Sequence, residues 1–377
     1  MFRDVDDGLA FSALFLDLQK AFDCVDHTIL ILKLETAGIR GKALDLLRSY
    51  LTDRKHCVDL GGTKSPLRES SIGIPQGSVL GPLLFLIYVN DIYRLPISGT
   101  ASLFADDTAV FYSSHAFNSN VIEMNRDILT IQDYLDHNRL SLNVKKTKTI
   151  HFKAKNTSQI EEIGIGGDCI EAVDLFKYLG LLPDSGLTWN AHIAKLGSKL
   201  SSISGVLCKL KKLLPKSVLL KIYFAFAHSH LNYLPAAWGT ANKTALKQLQ
   251  VLQKRCLKHV NKLPSRHPTV DLFHNYCPKI LNVDSIIKFN VCSFIYKAMH
   301  NLSYSTITFN RAPHKYNTRN KDLLRPSMVS TQCGSKAITA DGCRLFNSLP
   351  NDIKNASPYS FHKDLKAWLL KSQYAWN

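Results

Sequence analysis

Glutamate is missing from the whole chain after Glu171, and with it most of the negative charge of the second half. Residues 1–192 carry 19 Lys and Arg against 24 Asp and Glu, whereas residues 193–377 carry 28 against 6. The formal net charge of +17 therefore belongs to one half of the chain. Lysines kept only for solubility would be spread more evenly, so the segregation points to a polyanionic partner. Long apolar runs are absent too. The longest, Val79 to Val89, is too short to span a bilayer and contains Gly81 and Pro82, so it reads as a buried helix. Met1 to Asp7 is acidic and has no apolar core, which argues against a signal peptide. The nine cysteines stand singly with no disulfide framework, so the expected setting is reducing and intracellular, nucleus or cytoplasm. Cys256 with His259 and His274 with Cys277 have zinc-like ligand types, but their spacing matches no common zinc pattern. At 377 residues and 45% apolar content there is room for more than one core, and no internal repeat is visible.

The chemistry begins at Leu103-Phe104-Ala105-Asp106-Asp107-Thr108-Ala109-Val110-Phe111. Apolar runs on both sides of a tight turn read as a β-hairpin with two carboxylates at its tip. Adjacent carboxylates repel, and each raises the other's pKa unless a cation compensates; a solvated acidic turn is the plainer reading. Asp6-Asp7, in a polar stretch without apolar flanks, is an internal contrast. Upstream, Ser12-Ala13-Leu14-Phe15-Leu16-Asp17-Leu18 is a short apolar run ending on one carboxylate. Hard cations such as Mg2+ take oxygen ligands, and two of them roughly 3.5–4 Å apart can drive an in-line phosphoryl displacement. One strand-end Asp plus an Asp-Asp hairpin is the minimum such chemistry needs.

These residues carry a family resemblance. Phe15-Leu16-Asp17-Leu18-Gln19-Lys20-Ala21-Phe22-Asp23-Cys24-Val25-Asp26-His27 resembles motif A of non-LTR (LINE-type) retrotransposon reverse transcriptases. Gly73-Ile74-Pro75-Gln76-Gly77-Ser78-Val79-Leu80-Gly81-Pro82 resembles their motif B, and Phe104-Ala105-Asp106-Asp107 their motif C, with Phe where Tyr is commoner. Leu142-Asn143-Val144-Lys145-Lys146-Thr147-Lys148 is similar to motif D, and Phe176-Lys177-Tyr178-Leu179-Gly180 to motif E, the primer grip. Further on, Leu231-Asn232-Tyr233 with Ala237-Trp238-Gly239, and Leu249 to Cys256, resemble the thumb region of animal LINE-type proteins. Tyr316-Asn317-Thr318-Arg319 and Leu345-Phe346-Asn347-Ser348-Leu349-Pro350 resemble their tail.

The resemblance implies an RNA-directed DNA polymerase working with two Mg2+ ions, Mn2+ being able to replace them. It implies an RNA template, a DNA primer and deoxynucleoside triphosphates as partners, and no membrane. Asp17, Asp106 and Asp107 would hold the metals, with the Leu18 carbonyl oxygen as an extra ligand. Leu18, Ala21, Phe22, Pro75, Gln76 and Gly77 would surround the incoming nucleotide. The Phe22 ring would exclude a 2′-hydroxyl, or else be an ordinary core phenylalanine. Pro75-Gln76-Gly77 would meet the template-paired nucleotide, or simply join a loop to a helix starting near Ser78. Lys146 would protonate the leaving pyrophosphate, or be a solvated lysine beside Lys145 and Lys148. Tyr178, Leu179 and Gly180 would hold the primer end, or fill a strand.

The expected fold is α+β: a palm (antiparallel sheet backed by helices), then a helical thumb and a basic mixed C-terminal region. The corresponding domains are 1–184, 185–263 and 264–377. Helices are expected over Thr28–Ala37, Lys42–Leu51, Ser119–His137, about Ser285–His300 and about Phe361–Leu370, and strands near 56–60, 70–73 and 149–152. Only Arg3 is basic before Asp17, so the triphosphate-clamping fingers of the family are expected to be missing and the chain to be an N-terminally truncated piece. An inactive relic that still binds nucleic acid is the competing expectation. An RNA-dependent RNA polymerase, a third, is disfavoured by Phe22.

Overall fold

The structure is a computed structural model and describes residues 1–154, 160–264, 266–269, 272–303, 307–310 and 323–373. The tail motif Tyr316 to Arg319 lies outside these. The chain divides into two compact units, Gly8–Gly180 and Met1–Asp7 with Leu181–Asn377.

The short helix α1 (Phe2–Asp6) precedes strand β1 (Ala10–Leu16), all seven residues of which are buried. A strand without polar alternation belongs at the centre of a sheet covered on both faces, and β1 is there. Asp26 caps α2 (His27–Thr36) by accepting from the Thr28 and Ile29 amides, and Gly38, at φ +95°, follows its end. Helix α3 (Lys42–Leu51) follows. Two exposed ribbons come next: β2 (Lys55–His56) pairs with β5 (Arg68–Glu69), and β3 (Asp59–Leu60) with β4 (Thr63–Lys64). The apolar helix α4 is Gly81–Val89. The hairpin β6 (Thr100–Phe104) and β7 (Asp107–Ser114) leads to the long helix α5 (Phe117–His137). Then come β8 (Lys148–Phe152), β9 (Ile163–Ile165) and β10 (Asp168–Ala172). The sheet runs β6-β7-β1-β8-β10-β9.

One ladder corrects the antiparallel expectation: β10 lies parallel to β8, with Glu171 opposite Lys148 and Ala172 opposite Thr149. Residues 153–167 separate β8 from β10 in the chain, a connection long enough for a parallel pair. The sheet is therefore mixed, antiparallel elsewhere. Leu14, Leu16, Val110 and Tyr112 pack in one cluster with Val121, Met124, Ile128 and Ile131 of α5. On the opposite face Phe11 stacks with Phe111 and lies tilted against Phe152, and Phe15 stacks with Phe176 and lies tilted against Tyr178.

In the other unit one core runs from Trp189 to Leu369 without a break at residue 263. Helix α6 (Asn190–Leu210) precedes α7 (Lys216–Ile222), which starts after Pro215 and continues through a π-turn into α8 (Ser229–Leu231). Pro235 opens α9 (Pro235–Trp238), and α10 (Lys243–Val260) packs along α6. Helices α11 (Val283–Met299), α12 (Cys343–Asn347), α13 (Asn351–Lys354) and α14 (Phe361–Ser372) complete it, with Tyr296 stacked on Phe361 at 3.7 Å between ring centroids. Residues 1–7 belong here because the buried Asp6 carboxylate accepts from the Ser330 and Thr331 amides and the Thr331 hydroxyl. Among the described residues no helix is long and apolar enough to cross a membrane.

Candidate active site

Strand register brings the first two carboxylates together. Along the β1–β7 ladder Phe15 pairs with Ala109 and Leu16 with Thr108, so the next rung sets Asp17 opposite Asp107. Side chains alternate between faces, and Asp17 and Asp107 fall on the face of Phe15 and Ala109, away from α5. Asp106 sits in the two-residue turn beside them, where Ala105 takes φ +53° at the first central position, the sign pattern of a type II′ hairpin. Residues 17–19 are pinned from the other side. Asn143 N donates to Asp17 O at 2.7 Å, Asp17 N to Thr147 Oγ1 at 3.3 Å, and Gln19 N to Ser141 O at 2.8 Å, with Leu18 bridging Leu142.

The site is electrostatically unbalanced. Burial, then the charges of Asp106 and Asp17, push the Asp107 carboxyl above its usual range, and Lys177 opposes them. Lys146 Nζ lies 3.7 Å from Asp17 Oδ2, too long for a hydrogen bond, and that buried oxygen has no hydrogen-bond partner. Three hard oxygen donors, one of them orphaned, with mutual repulsion to relieve, fit Mg2+ or Mn2+. Among the described residues no three His, Cys, Asp or Glu side chains are clustered as a ready metal cage, so the carboxylates are neighbours rather than a closed clasp. The same holds for the zinc-like types. Cys256 is buried with its thiol toward the Leu200 carbonyl, Cys277 accepts from Asn261, and His274 Nδ1 faces Asn275.

The remaining candidates gather in two groups. Ala21 is buried, and Phe22, half-buried, stacks on Phe85 of α4 at 4.6 Å, so its ring also serves the core. Loop 20–26 is fastened to residues 73–76: Gly73 N donates to Val25 O, Ile74 N to Phe22 O, and Gln76 Nε2 to Asp23 Oδ1 at 2.9 Å. Pro75 is half-buried, and Gln76 and Gly77 are exposed, Gly77 at φ +79°. The helix expected near Ser78 begins at Gly81 instead. Ser78 Oγ donates to Pro75 O and accepts from Gly81 N, holding a turn that delays it. In the second group, Tyr178 packs on Phe15 with its hydroxyl beside Ser102, and burial raises its pKa; Leu179 and Gly180 both have positive φ.

Sequence reasoning missed Lys177 and the support of the Gly73 carbonyl. Lys177 acts on Asp107 although nothing local in the sequence joins them. Gly73 O accepts from Arg54 Nη1 at 2.9 Å and is 2.8 Å from His27 Nε2. Gly73 itself is required twice over: φ is +81°, and a Cβ would stand 2.8 Å from the Asp23 carbonyl oxygen. Gly73→Ala should cost about 1–3 kcal/mol in urea unfolding followed by far-UV circular dichroism, since strain and clash add. A loss under 0.5 kcal/mol, roughly the level of an ordinary surface change, would mean the loop has room to move.

The strand-end aspartate thus faces the aspartate hairpin on the sheet face away from α5. Residues 7–182 match the family model described as reverse transcriptase (RNA-dependent DNA polymerase). The chain is similar to the RNA-directed DNA polymerase from mobile element jockey of Drosophila melanogaster, 27% identical over 68% of this chain and 29% of that protein. It is similar also to the probable RNA-directed DNA polymerase from transposon BS of the same organism, 28% identical over 69% and 30%. The jockey protein of Drosophila funebris is 29% identical over 68% and 29%. The chain thus spans about three tenths of the length of the curated relatives it matches. Among solved structures it is similar to telomerase from Candida albicans in complex with a telomeric RNA fragment. That likeness has a TM-score of 0.36 and 14% identity over 81% of this chain and 52% of that one, too low to define a fold.

Proposed function

We propose that this chain is the polymerase part of a non-LTR retrotransposon protein, an RNA-directed DNA polymerase that adds deoxynucleotides to a primer 3′-hydroxyl. The observation that carries the reading is the β1–β7 register, which sets Asp17 opposite Asp107 with Asp106 in the adjoining turn. Two divalent ions, when bound, would activate the attacking hydroxyl and neutralise charge on the leaving oxygens. Asp17, Asp106 and Asp107 would hold them, with the Leu18 carbonyl as an added oxygen. Lys146, already beside Asp17, would reach the leaving pyrophosphate and give it a proton. Gln76, anchored to Asp23, would steady the nucleotide, and the packing of Tyr178 on Phe15 would support the primer end. In this reading residues 1–184 act as palm, 185–263 as thumb, and 264–377 as the basic C-terminal region.

The test is primer extension on an RNA template with deoxynucleotides and Mg2+ or Mn2+. Extension is expected. Its absence with salt-sensitive primer–template binding retained would make the chain an inactive relic. Phe22→Ala should then incorporate ribonucleotides that the parent rejects. Equal rejection by both would leave Phe22 a core residue only, as its stack on Phe85 also allows.

A further inference from the structure

Asp17 lies just beyond both ladders that hold β1. The pairing with β7 ends at Leu16 opposite Thr108, and the pairing with β8 ends at Phe15 opposite Lys148. A residue past the end of a strand must find other partners for its amide and its carbonyl. For Asp17 both come from the turn 143–147, immediately before β8. Asn143 N donates to Asp17 O at 2.7 Å, and Asp17 N donates to Thr147 Oγ1 at 3.3 Å. The Thr147 hydroxyl donates in its turn to Asn143 O at 2.9 Å, closing a ring that takes in both backbone groups of Asp17. Only a hydroxyl can accept and donate in this way, and a valine of the same shape can do neither. Thr147 is fully buried, so solvent has no access to take over its bonds. The turn is fixed by its own sequence as well. Asn143 O also accepts from Lys146 N and Thr147 N, and Asn143 Oδ1 accepts from Lys146 N at 3.3 Å. The same turn carries Lys146, whose Nζ is 3.7 Å from Asp17 Oδ2.

We propose that Thr147 is a positioning residue for the metal site: its hydroxyl fixes the Asp17 backbone so that the carboxylate faces Asp107. It holds no metal itself and acts through Asp17. Partners of this kind orient a ligand, and losing one costs about 10–100-fold in metal affinity or activity. The inference rests on the two-metal reading of the three carboxylates. Thr149, two residues on, is a built-in comparison. It is buried too, and its hydroxyl donates to Ala13 O at 3.1 Å, so it also ties β8 to β1 but well before Asp17.

The experiment is a titration of the full chain with Mn2+, the free ion being followed by electron paramagnetic resonance. Binding lost in Asp17→Asn identifies the site. Thr147→Val keeps the shape, removes the hydroxyl and should weaken Mn2+ binding by about 10–100-fold. Thr147→Ser keeps the hydroxyl and should recover most of that loss. Thr149→Val removes a comparable buried hydroxyl and should leave the affinity unchanged. Far-UV circular dichroism checks that each variant is folded, and Thr147→Ala is read instead if the valine variant is not. Parent-like Mn2+ affinity without the Thr147 hydroxyl, or an equal loss in Thr149→Val, overturns the proposal. Primer extension forms the second arm. Thr147→Val should lower kcat and leave KM for primer–template unchanged, whereas a rise in KM alone would tie Thr147 to the nucleic acid and also overturns it. A parent that binds Mn2+ through Asp17 yet extends no primer would sink the polymerase reading and leave this inference to its metal arm. Mn2+ binding indifferent to Asp17 overturns both.

Discussion

Asp106→Asn should lower the rate of primer extension by on the order of a thousandfold, the scale of the several kcal/mol that a metal-held charge contributes in the transition state. Asparagine keeps the shape and one oxygen but loses the charge, so the change isolates electrostatics from packing. Asp17→Asn should do the same. Its orphaned Oδ2 is the oxygen most exposed to the loss of a cation, and Lys146 at 3.7 Å would then lose its anionic neighbour. Asp7→Asn is the control, since Asp7 is an exposed member of the other Asp-Asp pair and should leave the rate within about twofold, as surface changes usually do. Primer–template binding should survive in all three, because the excess of positive charge lies in residues 193–377. If Asp106→Asn extends primers as fast as the parent, the carboxylate assignment is wrong, however well the fold fits.

Mild acid should destabilise the sheet unit by up to about 3 kcal/mol between pH 6.5 and 4. His151 on β8 is buried, 2.8 Å from Ser12 Oγ, and its pKa is pushed down to about 4 by burial alone. Asn120 of α5 donates to the same Ser12 oxygen and to Ala10 O, so the network ties α5 and β8 to β1. In the unfolded chain an imidazole takes its proton near pH 6.5. The folded pKa of this base lies lower, so the stabilisation is complete above the unfolded value and is lost as pH falls toward the folded one. His151→Gln should flatten the pH dependence over that window even if it is less stable at pH 7.5. His192 in the other unit is also pushed down to about 4, by burial first and then by Lys195 and Lys199, so each unit has its own acid-sensitive group. The two can be separated. All four tryptophans lie in residues 181–377, and His192 packs against two of them, Trp189 and Trp238. Tryptophan fluorescence therefore follows that unit alone, and far-UV circular dichroism follows both. An acid response of the His151→Gln protein identical to that of the parent would sink the assignment to His151.

Much of the molecule was readable locally. The apolar run of β1, the hairpin around Asp106 and the helices α2, α3, α5, α11 and α14 are marked by periodicity and caps that act within a few residues. The helix after Gly77 was displaced to Gly81 because the Ser78 hydroxyl makes a turn of its own, a side-chain choice that hydrophobic pattern does not register. Strands β9 and β10 are short, and only Gly166-Gly167, both at positive φ, signal their hairpin. The parallel ladder between β8 and β10 has no local signature at all.

What the sequence by itself determined is the chemistry available: three aspartates in two apolar settings, the ordered motifs around them, and positive charge confined to the second half. Those are properties of composition and of short-range pattern, and they persist whatever the chain's final arrangement. Only the tertiary structure decided that Asp17 stands opposite Asp107, that Lys177 bears on that carboxylate, and that Asp6 joins residues 330 and 331. Each depends on strand register or helix packing between residues far apart in the chain. A slip of one residue in that register would have turned every side chain of β1 to the other face.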